Sequence, residues 1–321
     1  MTSDLRTFKT IYLNEKLPAH FVLDLLTNQQ FLKMADAAVQ ATFKNIIISG
    51  GARGIGRALT RMMLEAGHHA YIFDIDEEEL EHTVKVHLKA YYEDGRLGYA
   101  LCDLRDTDDI RAKVKQAAEF FNDRIDVLIN NGGIASPYWK DGKTMEDPET
   151  LSEWRAYIDT NLTGPFAMSQ ACIPFMKARA TDVEHGAHTS NENNSSPAGP
   201  CIIHIGSFRA HQSDPNQEGY ASSKAGQLGL MHSMAISLGS LGIRVNLIAP
   251  GRIKVAHESK EGDEKGTDWA SQISEKDISD HPTNRAGRPK DIADAALYLI
   301  EAGFVTGQDI TVDGGALRKK H

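Results

Sequence analysis

From residue 44 onward, short β-branched runs alternate with longer stretches whose apolar positions recur every three or four residues. That alternation predicts a doubly wound α/β domain, a mainly parallel seven-stranded sheet wrapped by crossover helices. The expected strands are Asn45–Ser49, His69–Asp74, Gly98–Leu101, Val127–Asn130, Cys201–Ile205, Arg244–Ile248 and Asp309–Val312. Apolar runs this short suit strands buried on both faces. Between the first two, Arg57, Ala58, Met62, Leu64 and Ala66 fit a helix that Gly67 closes at its C-terminus.

Two regions stand outside the pattern. Residues 1–43 form an N-terminal extension with its own helical stretch at about 19–42, where Phe21, Leu25, Leu32, Ala35 and Val39 could make an apolar face. We read it as packing on the domain or on a partner subunit rather than as a lid. Residues 181–200 are rich in Asn, Ser, His, Thr and Gly, with too little apolar surface to offset their ordering entropy, and read as a mobile surface insertion. The remainder, 44–321, reads as one domain.

The 321 residues are 41% apolar, enough for a substantial core. A formal net charge of −9 argues against nucleic acid and anionic membrane as partners, because both demand clustered Lys and Arg. Cys102, Cys172 and Cys201 lie far apart, which offers neither a disulfide framework nor a paired metal site, and no histidine pattern such as H-E-x-x-H is present, so no metal is expected. The N-terminus carries Asp4 and Glu15 without a long apolar run, and no stretch nears the roughly 20 apolar residues of a membrane span. The expectation is a cytoplasmic protein.

The first strand runs into Gly50-Gly51-Ala52-Arg53-Gly54-Ile55-Gly56. Gly50, Gly54 and Gly56 can let backbone N–H groups approach a pyrophosphate, since a Cβ would block it. A glycine pattern alone fits a structural turn equally well. Its context is more specific: Asp74 ends the second strand eighteen residues after Gly56 (74 − 56), where a carboxylate can bind ribose hydroxyls and repel a 2′-phosphate. That favours NAD over NADP. Arg53 pulls the other way, because a guanidinium can pair with such a phosphate. Asp76, Glu77, Glu78 and Glu79 strengthen the negative field around Asp74.

Further along stands Tyr220-Ala-Ser-Ser-Lys224. On a helix the two residues share a face, which brings an ammonium near a phenol. A free phenol of pKa about 10 is only about 0.1% ionised at pH 7, a handicap of roughly 4 kcal/mol for a base that must be anionic. Lys224 would reduce that handicap. Ser207 ends the strand Cys201–Ile205 with one residue between them, at the sheet edge where α/β proteins build sites, and its hydroxyl can steady a substrate oxygen. Ser213, Ser222 and Ser223 are nearby alternatives.

These residues together resemble the short-chain dehydrogenase/reductase family, single-domain Rossmann-fold oxidoreductases. The likeness covers about residues 44 to 315 and rests on Ser49 through Gly56, Asp103-Leu104, Asn130-Asn131-Gly132-Gly133, Asn161, Ser207, Tyr220-x-x-x-Lys224, Pro250-Gly251 and Val312-Asp313-Gly314-Gly315. It implies Tyr220 as general acid/base, with Ser207 as its partner and Asn161 holding a water in a proton relay to Lys224. It also implies cofactor contacts at Gly50, Arg53, Gly54, Ile55, Gly56 and Asp74, at Asp103 and Leu104 near the adenine, and at Asn130. Tyr220 and Lys224 would lie at the nicotinamide and its ribose, with Pro250, Gly251 and Ile253 near the carboxamide. Val255 departs from the family's frequent Thr and loses a hydrogen bond to the cofactor. Ser49 and Gly132 also depart, for Thr and Ala, with little change in chemistry.

The resulting expectation is an NAD-dependent oxidoreductase for a secondary alcohol or ketone, assembled as a homodimer or homotetramer and binding a small-molecule substrate. The alternatives are an NADPH-dependent biosynthetic ketoreductase and a dinucleotide-binding regulator without turnover. Ser136, Tyr138, Trp139, Phe208, Arg209, His211 and the stretch Lys254–His281, read as a mobile substrate loop, are the expected pocket. Arg209 and His211 hint at a polar or anionic substrate.

Overall fold

In the computed structural model, residues 43–176 and 198–319 are described. The helix expected at 19–42 and most of the insertion expected at 181–200 lie outside the described residues. Seven strands form one sheet in the order β3-β2-β1-β4-β5-β6-β7, all parallel. They are β1 (Asn45–Ser49), β2 (His69–Asp74), β3 (Leu97–Leu101), β4 (Val127–Asn130), β5 (Cys201–Ile205), β6 (Arg244–Pro250) and β7 (Asp309–Val312).

Two strands are longer than the sequence suggests. Leu97 opens β3 because its side chain is buried and its backbone pairs with Ala70, while Gly98 leaves room for the Tyr71 ring. β6 continues to Pro250, which pairs with Val312, and a proline with no N–H to give is tolerated at the strand's end.

The helices that flank the sheet are α1 (Gly54–Glu65), α2 (Thr107–Phe120), α3 (Thr150–Ile158), α4 (Gly164–Met176), α5 (Glu218–Ser237) and α6 (Pro289–Glu301). α1 ends as expected: Gly67 has φ +89°, its N–H donates to Leu64 O, and the His68 N–H reaches Met63 O. That is the Schellman arrangement, which satisfies carbonyls left over at the helix end.

Successive strand residues point to opposite faces. Ile46, Ile48, Ile72, Ile129, Ile203 and Ile248 pack with Leu59 and Met63 of α1 and Ile292 and Leu299 of α6. Ile47, Leu128, Ile202, Val245 and Leu247 pack on the other face with Ile110 and Val114 of α2, Met168 of α4 and Met231 of α5. Each such side chain contributes about 2 kcal/mol by leaving water. Because β1 lies between β2 and β4, chain connections depart to opposite sides there, which opens a crevice beyond the strands' carboxyl ends. No helix among the described residues is long and apolar enough to cross a membrane.

Candidate active site

A cleft of about 960 Å³ occupies that crevice. It is at the upper end of the range for small-ligand pockets and suits an extended molecule. Its walls bring together Gly50, Arg53, Gly54, Ile55, Asp74, Asp103, Leu104, Ser207, Tyr220, Lys224, Pro250, Gly251 and Ile253, all expected from the sequence.

The glycines of the turn do different work. Gly54 has φ +60° and faces open space in the cleft, with Val255 as the nearest obstacle to an added Cβ, at 3.8 Å. Gly56 serves packing instead: a Cβ there would stand 1.8 Å from Gly50 O. This cradle, filled by any side chain at Gly54, fits a phosphate-bearing cofactor. Asp74 is fixed at the tip of β2 by N–H donors from Ala52 (3.0 Å), Ile75 (2.9 Å) and Asp76 (3.2 Å). Arg53 is 62% exposed and lies 3.9 Å from Asp76, a loose pair. Asp103, at the far end, is held by Arg105, whose hydrogen bonds keep its carboxyl below the usual range.

The catalytic side is built on α5, where Tyr220, Lys224 and Gln227 fall on one face. The Lys224 ammonium is buried, 5.7 Å from the centre of the Tyr220 ring. It donates to Ile205 O at 2.9 Å and Gln227 Oε1 at 3.4 Å, and no carboxylate among the described residues pairs with it. Burial drives its pKa down to about 8. Burial raises the Tyr220 phenol, while a hydrogen bond with Ser207 and the charge of Arg209 pull it down. Ser207 also accepts the Arg209 N–H at 3.1 Å, which fixes the hydroxyl at the end of β5.

Asn130 and Asn161 are not among the residues that line the cleft. The Asn130 side chain turns into the core and donates to Ser169 Oγ at 3.0 Å. Its neighbour Asn131 lines the cleft and steadies the turn by donating to Gly50 O at 2.8 Å. Asn161 lies in a π-helical turn, Asp159–Thr163, fully buried. Its side chain accepts from Ile134 N (2.7 Å) and donates to Ile134 O (3.2 Å) and Ser223 Oγ (3.1 Å), clamping the cleft wall after β4.

The anionic-substrate hint loses its support. Arg209 is buried against Asp214 and stacks on Phe208, and His211 is hydrogen-bonded to Asp309, so both side chains are already engaged. Trp139 is likewise engaged, its Nε1 donating to Glu218 at 2.9 Å, while Ser136 does line the cleft. The stretch Lys254–His281 carries short helices at Lys260–Lys265 and Glu275–Ser279, the second closed by a Ser274/Asp277 capping box.

A deep ion cluster anchors that stretch, and the sequence did not reveal it. Arg57 of α1, 1% exposed, donates to Glu258 (3.0 Å), Asp263 (2.7 and 3.1 Å) and His257 O (2.8 Å). Arg61 adds a bond to Glu258 at 2.6 Å, and His82 one to Asp263 at 2.9 Å. Burial raises the Asp263 carboxyl, but hydrogen bonds from Arg57 and His82 outweigh it and leave the pKa lowered.

A glycine cradle, a carboxylate at the tip of β2, and a serine, tyrosine and lysine at one cleft match a whole family, not an isolated motif. The family model described as enoyl-(acyl carrier protein) reductase matches residues 50–316. The chain belongs to the short-chain dehydrogenase/reductase family. It is thus an oxidoreductase of CH–OH or keto groups. This dehydrogenase/reductase is 33% identical over 279 residues to an oxidoreductase of Thermotoga maritima, covering 85% of this chain and 95% of that one. It is 32% identical over 276 residues to the 3-oxoacyl-[acyl-carrier-protein] reductase FabG of Chlamydia trachomatis, covering 85% and 96%. Among solved structures, a 7α-hydroxysteroid dehydrogenase complexed with NADH and 7-oxo glycochenodeoxycholic acid superposes with a TM-score of 0.65 at 30% identity, over 85% of this chain and 93% of that chain.

Proposed function

We propose that this protein transfers a hydride between NAD and a secondary alcohol or its ketone, with Tyr220 as the general acid/base. The observation that carries this reading is a buried ammonium, with no acid partner among the described residues, beside a phenol that opens on the cleft. An ammonium neutralised by a carboxylate would do little for a tyrosinate; one held only by a carbonyl and an amide keeps its full field. The nicotinamide, when bound, supplies or accepts the hydride. Tyr220 exchanges a proton with the substrate oxygen, Ser207 donates a hydrogen bond to that oxygen, and Lys224 stabilises the phenolate. Asn161 keeps the wall at Ile134 in place. Asp74, pre-set by three amides, supports NAD through the ribose hydroxyls.

A second reading, reduction of a 3-oxoacyl thioester with NADPH, is favoured by Arg53, which is exposed, lies on the cleft and is only loosely tied to Asp76. Titrating the protein with NADH and NADPH by cofactor fluorescence, then assaying sugars, polyols, steroids, aromatic alcohols and 3-oxoacyl thioesters, separates the two. The proposal expects NADH to bind at least about tenfold tighter, a difference of about 1.4 kcal/mol. It also expects Tyr220→Phe to bind NADH normally while losing turnover by about 10²-fold or more. Full turnover in Tyr220→Phe would end the tyrosine mechanism, and tighter NADPH binding would favour the second reading.

A further inference from the structure

Gln227 is polar, 1% exposed and seven residues (227 − 220) past Tyr220, so it sits two turns along the same helix face. Both ends of its amide are used. Nε2 donates to the backbone carbonyl of Asn161, in the π-helical turn, and Oε1 accepts from Lys224 Nζ. The Gln227 amide thus joins the Asn161 carbonyl to the Lys224 ammonium in a fixed geometry.

We propose that Gln227 is a positioning residue for the proton-transfer pair, spanning the Asn161 carbonyl and the Lys224 ammonium so that the ammonium is held facing Tyr220. This deepens the acid/base reading of Tyr220 and Lys224 and rests on it. The titratable groups beside the ammonium are Tyr220 on its own helix and His204 of β5, while the charge of Arg209 acts on the phenol. His204 is neutral, its pKa pushed down to about 4 by burial and then by Lys224, so it offers no competing charge near neutral pH. Among the described residues no carboxylate pairs with the ammonium, and the oxygen of Gln227 is one of two acceptors that keep the lysine charged where it stands.

The test needs no substrate. Lysine labelled with ¹³C at Cε allows the Lys224 titration to be followed by NMR in the full chain, with Lys224→Met identifying the signal. Gln227→Leu removes an acceptor of the charged form, so the titration midpoint should fall; Gln227→Glu sets a carboxylate beside the ammonium, so it should rise by at least about one pH unit. NADH binding and the thermal midpoint of each variant report whether the fold is intact. If both folded variants titrate Lys224 as the wild type does, Gln227 only fills space and the proposal falls. Should Gln227→Leu fail to fold, Gln227→Glu alone decides: a rise supports the role and an unchanged midpoint overturns it. Loss of the acid/base reading is a separate result, seen as full turnover in Tyr220→Phe, and leaves the titration shifts as they are.

Discussion

A buried cation stands by each end of the cleft, Arg57 behind the cofactor turn and Lys224 on the catalytic wall, and they are treated in opposite ways. At the cofactor turn Arg57 meets two carboxylates, Glu258 and Asp263, with the His257 carbonyl completing its set of acceptors. At the catalytic end Lys224 meets, among the described residues, the Ile205 carbonyl and the Gln227 amide but no acid. A guanidinium with its donors satisfied by acids is a fastener: it binds α1 to the segment after β6 and has little field left to act on a ligand. An ammonium left without an acid is costly to bury, which lowers its pKa to about 8, yet its charge remains available to the neighbouring phenol. Paired charge here supports shape, and unpaired charge supports chemistry.

The same substitution should therefore act with opposite sign at the two positions. Arg57→Met removes the cation that joins Glu258 to Asp263, leaving Arg61 on the first and His82 on the second, and should destabilise the protein by about 3 kcal/mol in denaturant unfolding. A change below about 1 kcal/mol would mean that the acids relax to water and the cluster is not a fastener. Lys224→Met should stabilise. The displacement from 10.5 to about 8 corresponds to about 3 kcal/mol of burial cost at pH 7, and the two acceptors left unpaired return about 1–2 of it. A gain of about 1–2 kcal/mol, accompanied by loss of turnover, is expected. It is also pH-dependent: wild-type Lys224 binds its proton less tightly folded than unfolded, so wild-type stability rises between about pH 8 and 10.5. The advantage of Lys224→Met shrinks over that window, and a constant advantage would place the cost elsewhere.

Local chemistry accounts for what was legible in the sequence. β1 and β2 end where Gly50 and Asp74 end them, and Gly67 stops α1, because turn residues and apolar runs act on their immediate neighbours. Tyr220 and Lys224 were legible for the same reason, four residues apart on one helix. Arg57 was not, since its partners lie about 200 residues away and nothing local tells a buried arginine from a helix-surface one. Gln227 had a faint signal, a polar residue on a helix face otherwise turned inward. Asn130 and Asn131 are adjacent and identical, so only the direction of the strand decides which enters the core. Arg209, expected at the substrate pocket, is instead tied to Asp214 through a contact between close neighbours whose charges could equally have faced water.

Asp74 lies between the two extremes, and the smallest predicted effect is the most discriminating. Its carboxylate receives three backbone N–H groups, one of them from Ala52 in the glycine turn, so it has a structural duty besides any contact with a ribose. Asp74→Asn keeps the shape, removes the charge and leaves one amide poorly paired. If the charge selects the cofactor, NADH binding should weaken and NADPH binding should not, narrowing their ratio by about tenfold, or about 1.4 kcal/mol. Arg53→Ala should then weaken NADPH alone, and by less, because an exposed guanidinium in a loose pair contributes under about 1 kcal/mol. Equal weakening of both cofactors in Asp74→Asn would put this carboxylate with Arg57, a charge spent on holding the turn, and leave the choice of cofactor to Arg53 and the far end of the cleft.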